Sequence, residues 1–447
     1  MDRPEIFLAP GPTAVPPEVY LAQGSPLVYH RGPAYGDLLR DVTGNIQRLF
    51  RTGNDVLLFT SSGTGGLESA VANLMSPGDR VVVPVAGYFG ERFAKIAKAY
   101  GADVRTVDYE WGQIARAKDV EAALREAPTK AVLVQQSETS TGAIHDVQEI
   151  AAVARAAGAL VVVDCVSSVG AVPFDADAWG VDVAVSGSQK ALSATPGIAF
   201  VSISQAAWVA NETARNPRFY FDWRLYKDAY DRKNPENPFT PAISVMMGLK
   251  AALDLYFQDG VDEQLRQHER RSRAVKDAVR ALGLDLFGED PDRNWAVTSI
   301  RAPEGIDGDD VVARVRKDHG VVLAPGQGPL KGKVFRIGHL GYYDHLDILR
   351  GLAALEMTLA DRGVPGKPGA AGAAAETAVR SGRGGASSPR NSPSTASTCS
   401  APTSTSTSVP TSPRATSPAR SATTRPSSSG RRRASPRRSS PPLTDSR

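Results

Sequence analysis

Ala184-Val185-Ser186-Gly187-Ser188-Gln189-Lys190-Ala191-Leu192 is an apolar, strand-like run that stops at a small polar turn carrying a lysine. Twenty-six positions before that lysine, Ala159-Leu160-Val161-Val162-Val163-Asp164 is a second apolar run, and it ends on an aspartate. Neither run alternates strictly between apolar and polar residues. Short, continuous apolar content is the pattern of a strand buried on both faces, as in a parallel sheet.

Similar runs occur at residues 55–60, 80–84, 103–107, 131–135 and 198–202, and residues 181–186 lead into the lysine turn. Helical patterns lie between several of them, at 66–75, 90–100, 120–127 and 147–157. This alternation predicts an α/β fold with a mostly parallel, seven-stranded sheet covered by helices on both faces. Near Pro241 the texture changes. A long helical region at 243–282 is followed by strands at 296–301, 321–324 and 334–337, a helix at 308–319 and a closing helix at 345–361. The expected organisation is an N-terminal segment (1–17) packing near the active site and the small domain, a large domain (18–250), a smaller α/β domain (251–362) and a tail (363–447).

The chain has 447 residues, 41% of them hydrophobic, and a net charge of +4. From residue 365 onward there are 12 Arg and 1 Lys against 1 Asp and 1 Glu, an excess of 11 positive charges, so the rest is net −7. The body is mildly acidic, so its charge balance gives no reason to expect a basic patch for nucleic acid. The tail is Ser, Thr, Pro, Ala and Arg with few large apolar residues, and is predicted to be disordered. It reads either as an anion-binding arm or as a dispensable extension. No apolar run is long enough for a membrane span. The opening Met1-Asp2-Arg3-Pro4 lacks a signal pattern. The only cysteines are Cys165 and Cys399, which predicts no disulfide framework and a reducing cytoplasm. No metal-ligand motif is evident.

A lysine and an aspartate delivered from strand ends match one chemistry in particular. Pyridoxal phosphate is held as a Schiff base by a lysine, and an acidic partner keeps its pyridine nitrogen protonated. Asp164 ends a buried strand, where α/β proteins bind ligands, although a strand-end aspartate also caps loops. No other charge follows Lys190 until well beyond Gly197. A desolvated lysine has a lowered pKa and becomes a nucleophile and base. The turn Thr60-Ser61-Ser62-Gly63-Thr64-Gly65-Gly66 follows a strand and opens a helix, a place for a phosphate or simply a tight turn. Arg336, within Val334-Phe335-Arg336-Ile337-Gly338, lies in an apolar strand. It needs an anion, either a ligand carboxylate held bidentately or a structural Asp or Glu.

With these motifs in this order the chain resembles the class V pyridoxal-phosphate-dependent aminotransferases, in particular the alanine–glyoxylate, serine–glyoxylate and serine–pyruvate group. The resemblance rests on Ala9-Pro10-Gly11-Pro12-Thr13, Ser62-Gly63-Thr64, Glu138-Thr139-Ser140-Thr141-Gly142, Val163-Asp164-Cys165-Val166-Ser167-Ser168, Ser186-Gly187-Ser188-Gln189-Lys190 and Phe335-Arg336-Ile337-Gly338. It runs to about Leu359.

The resemblance implies the fold type I of these enzymes and a role for each matching position. Lys190 forms the Schiff base and shuttles the proton. Asp164 pairs with the ring nitrogen. Ser62, Gly63, Thr64 and Gln189 surround the phosphate, Thr139 lies by the ring hydroxyl, and Phe89 stacks on the ring. Thr240 reaches the phosphate of a neighbouring subunit in a homodimer, and Arg336 binds the substrate carboxylate. Thr64 stands where some relatives carry His, and Asn237 where some carry Tyr. The implied reaction moves an amino group from alanine or serine to glyoxylate or pyruvate. Its rivals are aspartate or phosphoserine transamination, cysteine desulfuration, and a non-catalytic scaffold with a basic binding tail. Desulfuration requires a mobile nucleophilic cysteine, which neither cysteine's context supplies.

Overall fold

Valines 161, 162 and 163 are fully buried, yet they belong to two different cores. Val161 and Val163 pack with Leu39, Val42 and Ile46 of the helix Pro33–Phe50. Val162 faces the other way, toward Leu67 and Phe93. Successive side chains of a strand point to opposite faces, so a strand sandwiched between helices is apolar at every position. Burying each such side chain stabilises the fold by roughly 1.5–3 kcal/mol relative to exposure.

The computed structural model describes residues 5–381. Its central sheet has seven strands in the order Asp55–Thr60, Ile198–Ile203, Val183–Gly187, Leu160–Asp164, Ala131–Gln135, Arg80–Val85, Asp103–Asp108. Ile198–Ile203 is antiparallel to both neighbours, and the strands from Val183–Gly187 to Asp103–Asp108 pair in parallel. The sheet is therefore mostly parallel and seven-stranded, as expected. The parallel strands end on one edge, and their following loops share that edge.

A second, three-stranded antiparallel sheet is ordered Val297–Arg301, Val334–Gly338, Ala324–Pro325. Its apolar cluster includes Ile300, Phe335 and Ile337 together with Val275, Val311 and Leu352 from three helices. Ile6–Phe7 pairs in parallel with Val321–Val322. The long helical region expected at 243–282 is two helices, Ile243–Gln258 and Val261–Ala281. Gly260 between them has φ +80, a conformation that ends one helix and restarts another. Among the described residues no helix is long and apolar enough to cross a membrane.

One expectation is corrected. Residues 363–447 were expected to be disordered throughout, but Ala370–Ser381 is a helix. Ala371, Ala375 and Ala378 are buried in the same cluster as Ala274, Val275 and Ala278 of the helix Val261–Ala281. Alanine is the best helix former, and alanines spaced by four and three residues make a narrow apolar stripe that lets two helices approach closely. Composition alone misses this, because no large apolar residue marks the contact. The rest of the tail, including Cys399, lies outside the described residues.

Truncation after Val364 is therefore expected to lower the denaturation midpoint relative to truncation after Ser381. Urea unfolding of the two proteins measures the difference, and equal midpoints would mean the helix adds nothing to the fold.

Candidate active site

Asp164 is the last residue of its strand and lies opposite Val185 on the adjacent strand. Lys190 follows three residues after that neighbouring strand ends at Gly187. Parallel pairing thus carries both residues to the same edge of the sheet. The Asp55–Thr60 strand ends there too and turns through Ser61-Ser62 into the helix Gly63–Leu74. Between these strand ends is a cavity of about 330 Å³. Ser62, Gly63 and Thr64 line it, as do Asp164, Gln189 and Lys190, and it is completed by Phe89 and Thr139.

Lys190 Nζ donates a hydrogen bond to the carbonyl of Pro10 at 2.7 Å. Thr13 Oγ1 donates to the Lys190 carbonyl at 3.1 Å, so the N-terminal segment clasps this turn. Gly11 is required here: its φ is +126, and a Cβ would run into Lys190 Nζ. Burial, reinforced by the charges of Arg336 and Arg92, pulls the lysine pKa down to about 8, against an opposing pull from Asp164. Burial likewise pushes the Asp164 pKa up to about 6, opposed by the Val166 N–H, Arg92 and Lys190. Asp164 Oδ1 accepts from Val166 N at 3.0 Å.

Ser62 is the N-cap of its helix, but its side chain makes no capping bond. Gly63 packs so tightly on Val166 that a Cβ would lie 2.5 Å from Val166 Cγ2. Gln189 Oε1 is buried without a partner. Thr139 Oγ1 shares a 2.6 Å hydrogen bond with Ser167 Oγ.

Arg336 does not line this cavity, but it is joined to it. Its Nη1 donates to the carbonyl of Thr139 at 2.8 Å, and its Nε and Nη2 donate to the carbonyl of Pro325 at 3.2 and 2.8 Å. The residue is 5% exposed, and among the described residues no carboxylate lies within ion-pair distance of it. Burial lowers its pKa to about 10. Its hydrogen bonds all go to carbonyls and the pull of Glu138 only partly opposes the effect of burial, so the guanidinium keeps an electrostatic demand for an anion.

Other expected residues are not brought to the cavity. Thr240 is exposed and outside it. Asn237 is buried, with Oδ1 accepting from Tyr35 OH at 2.6 Å and Nδ2 donating to the Leu58 carbonyl at 3.3 Å. Arg31 is tied to Glu236 at 3.0 Å. Cys165 is fully buried, its thiol pKa raised by burial, and donates to the Val185 carbonyl at 3.2 Å. That thiol is not a usable nucleophile.

Three residues that sequence reasoning left without a role belong to the site. Ser167 and Arg92 line the cavity. Glu138, fully buried, stands behind it. One Glu138 oxygen accepts from the backbone N–H groups of Phe89 and Gly90, each at 3.0 Å. The other accepts from Ser140 Oγ at 2.5 Å and Ser140 N at 3.2 Å. Glu138 thus satisfies free N–H groups at the start of the helix Tyr88–Ala99 and fixes the Phe89 backbone. Gly87 leaves room for it, since a Cβ there would lie 2.5 Å from Glu138 Cδ. The sequence signal was present in Glu138-Thr139-Ser140, but only the fold shows which N–H groups the carboxylate serves.

The residues fit pyridoxal phosphate. The cavity has an uncommitted N-cap hydroxyl at a helix start, a carboxylate at a strand end, a lysine of lowered pKa and an aromatic ring.

Known proteins point the same way. The chain matches the class-V aminotransferase family over residues 18–332. It is 40% identical to the soluble hydrogenase small subunit of Synechococcus sp., over 81% of this chain and 95% of that one. It is 38% identical to the L-aspartate–glyoxylate aminotransferase of Paracoccus denitrificans, over 80% and 92%. The crystal structure of an alanine–glyoxylate aminotransferase from Nostoc sp. superposes with a TM-score of 0.77 at 31% identity, covering 80% of this chain and 96% of that one. With its lysine, aspartate and helix-start turn gathered round one cavity, this chain belongs to the class-V aminotransferase family.

Proposed function

We propose that this pyridoxal-phosphate-dependent aminotransferase moves an amino group from a small neutral amino acid, alanine or serine, to glyoxylate or pyruvate. Arg336 carries the reading: a buried cation without a carboxylate partner, hydrogen-bonded to Thr139 and close enough to Lys190 to lower its pKa. The two aminotransferase relatives described above share glyoxylate in their names. A dicarboxylic donor would need a further cation on the substrate side, and Arg31 is engaged by Glu236.

In this reading Lys190 holds the cofactor, Asp164 the ring nitrogen, Phe89 the ring face, and Thr139 the ring hydroxyl. Ser62, Gly63, Thr64 and Gln189 hold the phosphate. The cofactor supplies an aldehyde that condenses with amines and a ring that takes up an electron pair. Lys190 Nζ, neutral once freed, would take the proton from the substrate α-carbon and return it to the carbon on the far side of the amino nitrogen, the former aldehyde carbon. Asp164, ionised, keeps a proton on the ring nitrogen. Arg336 fixes the α-carboxylate and so the direction of the bond to be broken. The Pro10 carbonyl gives the Lys190 amine a fixed acceptor beside the site.

The exposure of Thr240 supports a homodimer in which this residue serves the neighbouring subunit's phosphate. The scarcity of cysteines supports a cytoplasmic setting.

Four outcomes are expected. An assay of alanine, serine and aspartate against glyoxylate, pyruvate and 2-oxoglutarate should favour alanine or serine with glyoxylate or pyruvate; preference for aspartate would displace this donor assignment. Lys190→Ala should lose transamination by about 10²–10⁴-fold or more and should lose the borohydride-trapped link to the cofactor. Cofactor uptake by stripped protein needs neutral Lys190, present above its pKa of about 8, and ionised Asp164, present above about 6. The uptake rate should therefore rise from about pH 6 and level off above about pH 8. A rise centred near pH 10, the ordinary lysine range, would show that burial does not act on Lys190 in this way. Sedimentation should show a dimer, and a fully active monomer would contradict the role given to Thr240.

A further inference from the structure

Arg92 lies one helical turn beyond Phe89, on the helix Tyr88–Ala99, and its side chain lines the cavity. Its Nη1 donates to Thr64 Oγ1 at 3.2 Å. Its Cζ is 4.8 Å from the centre of the Phe89 ring and 5.1 Å from that of Tyr88. Among the described residues no carboxylate lies within ion-pair distance of Arg92. A cation that lines a ligand cavity, with two rings and one hydroxyl for neighbours, is prepared for an anion that the protein does not itself provide.

The hydroxyl beside it shows which anion. Thr64 is in the first turn of the helix Gly63–Leu74, where backbone N–H groups face outward and favour negative charge. By accepting from Arg92, Thr64 Oγ1 leaves its own hydrogen free to donate. We infer that Arg92 is part of the cofactor's phosphate site, acting through the Thr64 hydroxyl and held in place by the rings of Tyr88 and Phe89.

The inference rests on the reading that places the phosphate at Ser62–Thr64, and goes beyond it by adding a cation from a different helix. A planar guanidinium can lie on a ring and donate along its edge at once, whereas a lysine ammonium cannot do both. The same helix carries Phe89, so the ring platform and the phosphate cation move as one unit, anchored by Glu138 at its start.

Arg92 is also near enough to Asp164 to favour its ionised form. That gives a rival account, in which Arg92 acts only on the ring nitrogen. Pyridoxal, which lacks the phosphate but keeps the ring, separates the two. Full-length protein stripped of cofactor is titrated with pyridoxal phosphate and with pyridoxal, following cofactor absorbance. Arg92→Gln should raise the Kd for pyridoxal phosphate by about tenfold to a hundredfold, the loss expected for a charge-assisted hydrogen bond. The Kd for pyridoxal should stay within about threefold, less than half of one such tenfold step.

Arg92→Lys should shift the same ratio in the same direction, and serves as the second variant if Arg92→Gln does not fold. Adding Thr64→Val to Arg92→Gln should cost less than the sum of the two single effects, because the two side chains act together. Equal weakening of both ligands, or an unchanged ratio in either Arg92 variant, would overturn the inference. If the wild type itself binds both ligands equally, the placement of the phosphate fails first and takes the inference with it.

Discussion

The parallel pairing of Leu160–Asp164 with Val183–Gly187 is the constraint on which the site depends. It aligns Asp164 with Val185, so the two chains leave the sheet on the same edge, one carrying the carboxylate and the other, three residues on, the lysine. The alignment is fixed because every residue in both strands is buried except Leu160, which is partly so. A slip of one residue would exchange the side chains between two separately packed cores. The cavity is therefore positioned by strands buried on both faces.

Charge at the site is unbalanced by design of the fold. Lys190 and Arg92 line the cavity, Arg336 is one carbonyl away, and Asp164 is the carboxylate among the lining residues. Mutual repulsion contributes to the lowered pKa of Lys190. In the proposed reading a phosphate and an α-carboxylate would meet these cations, and their binding would offset part of the cost of assembling cations without partners. Glu138 stands behind the cavity with its pKa raised by burial, and its oxygens are committed to N–H and O–H donors that hold the Phe89 helix and the Ser140 turn.

Much of this was legible in the residues. Six of the seven strands read as apolar runs because burial on both faces erases alternation, whereas the edge strand Asp103–Asp108 has no buried residue. Lys190 and Asp164 stood out because each closes such a run. The helices expected at 308–319 and near 345–361 are present as Gly308–His319 and His345–Asp361. The helix Ala370–Ser381 was not, because its buried face is alanine and hides within a compositionally biased tail. Arg92 was not, because an arginine four residues after Tyr88 looks like an ordinary helix-surface charge until the fold brings Thr64 alongside. Arg336 read as needing an anion, either a ligand carboxylate or a structural Asp or Glu, and only packing shows that its hydrogen bonds go to carbonyls.

The sequence by itself determined the layered α/β architecture and the residues that end its strands, because both follow from local patterns of burial and turn chemistry. It also marked Lys190, Asp164 and the turn at Ser62–Gly66, although only their order along the chain, taken together, pointed to one chemistry. The tertiary structure alone decided which of the remaining polar groups meet. Pro10 reaches Lys190 across 180 positions, Glu138 reaches Phe89 across 49, and Arg336 reaches Thr139 across 197. Hydrogen bonds of a few ångströms between segments so distant in the chain leave no trace in local composition. They exist only when the two sheets and their helices have packed.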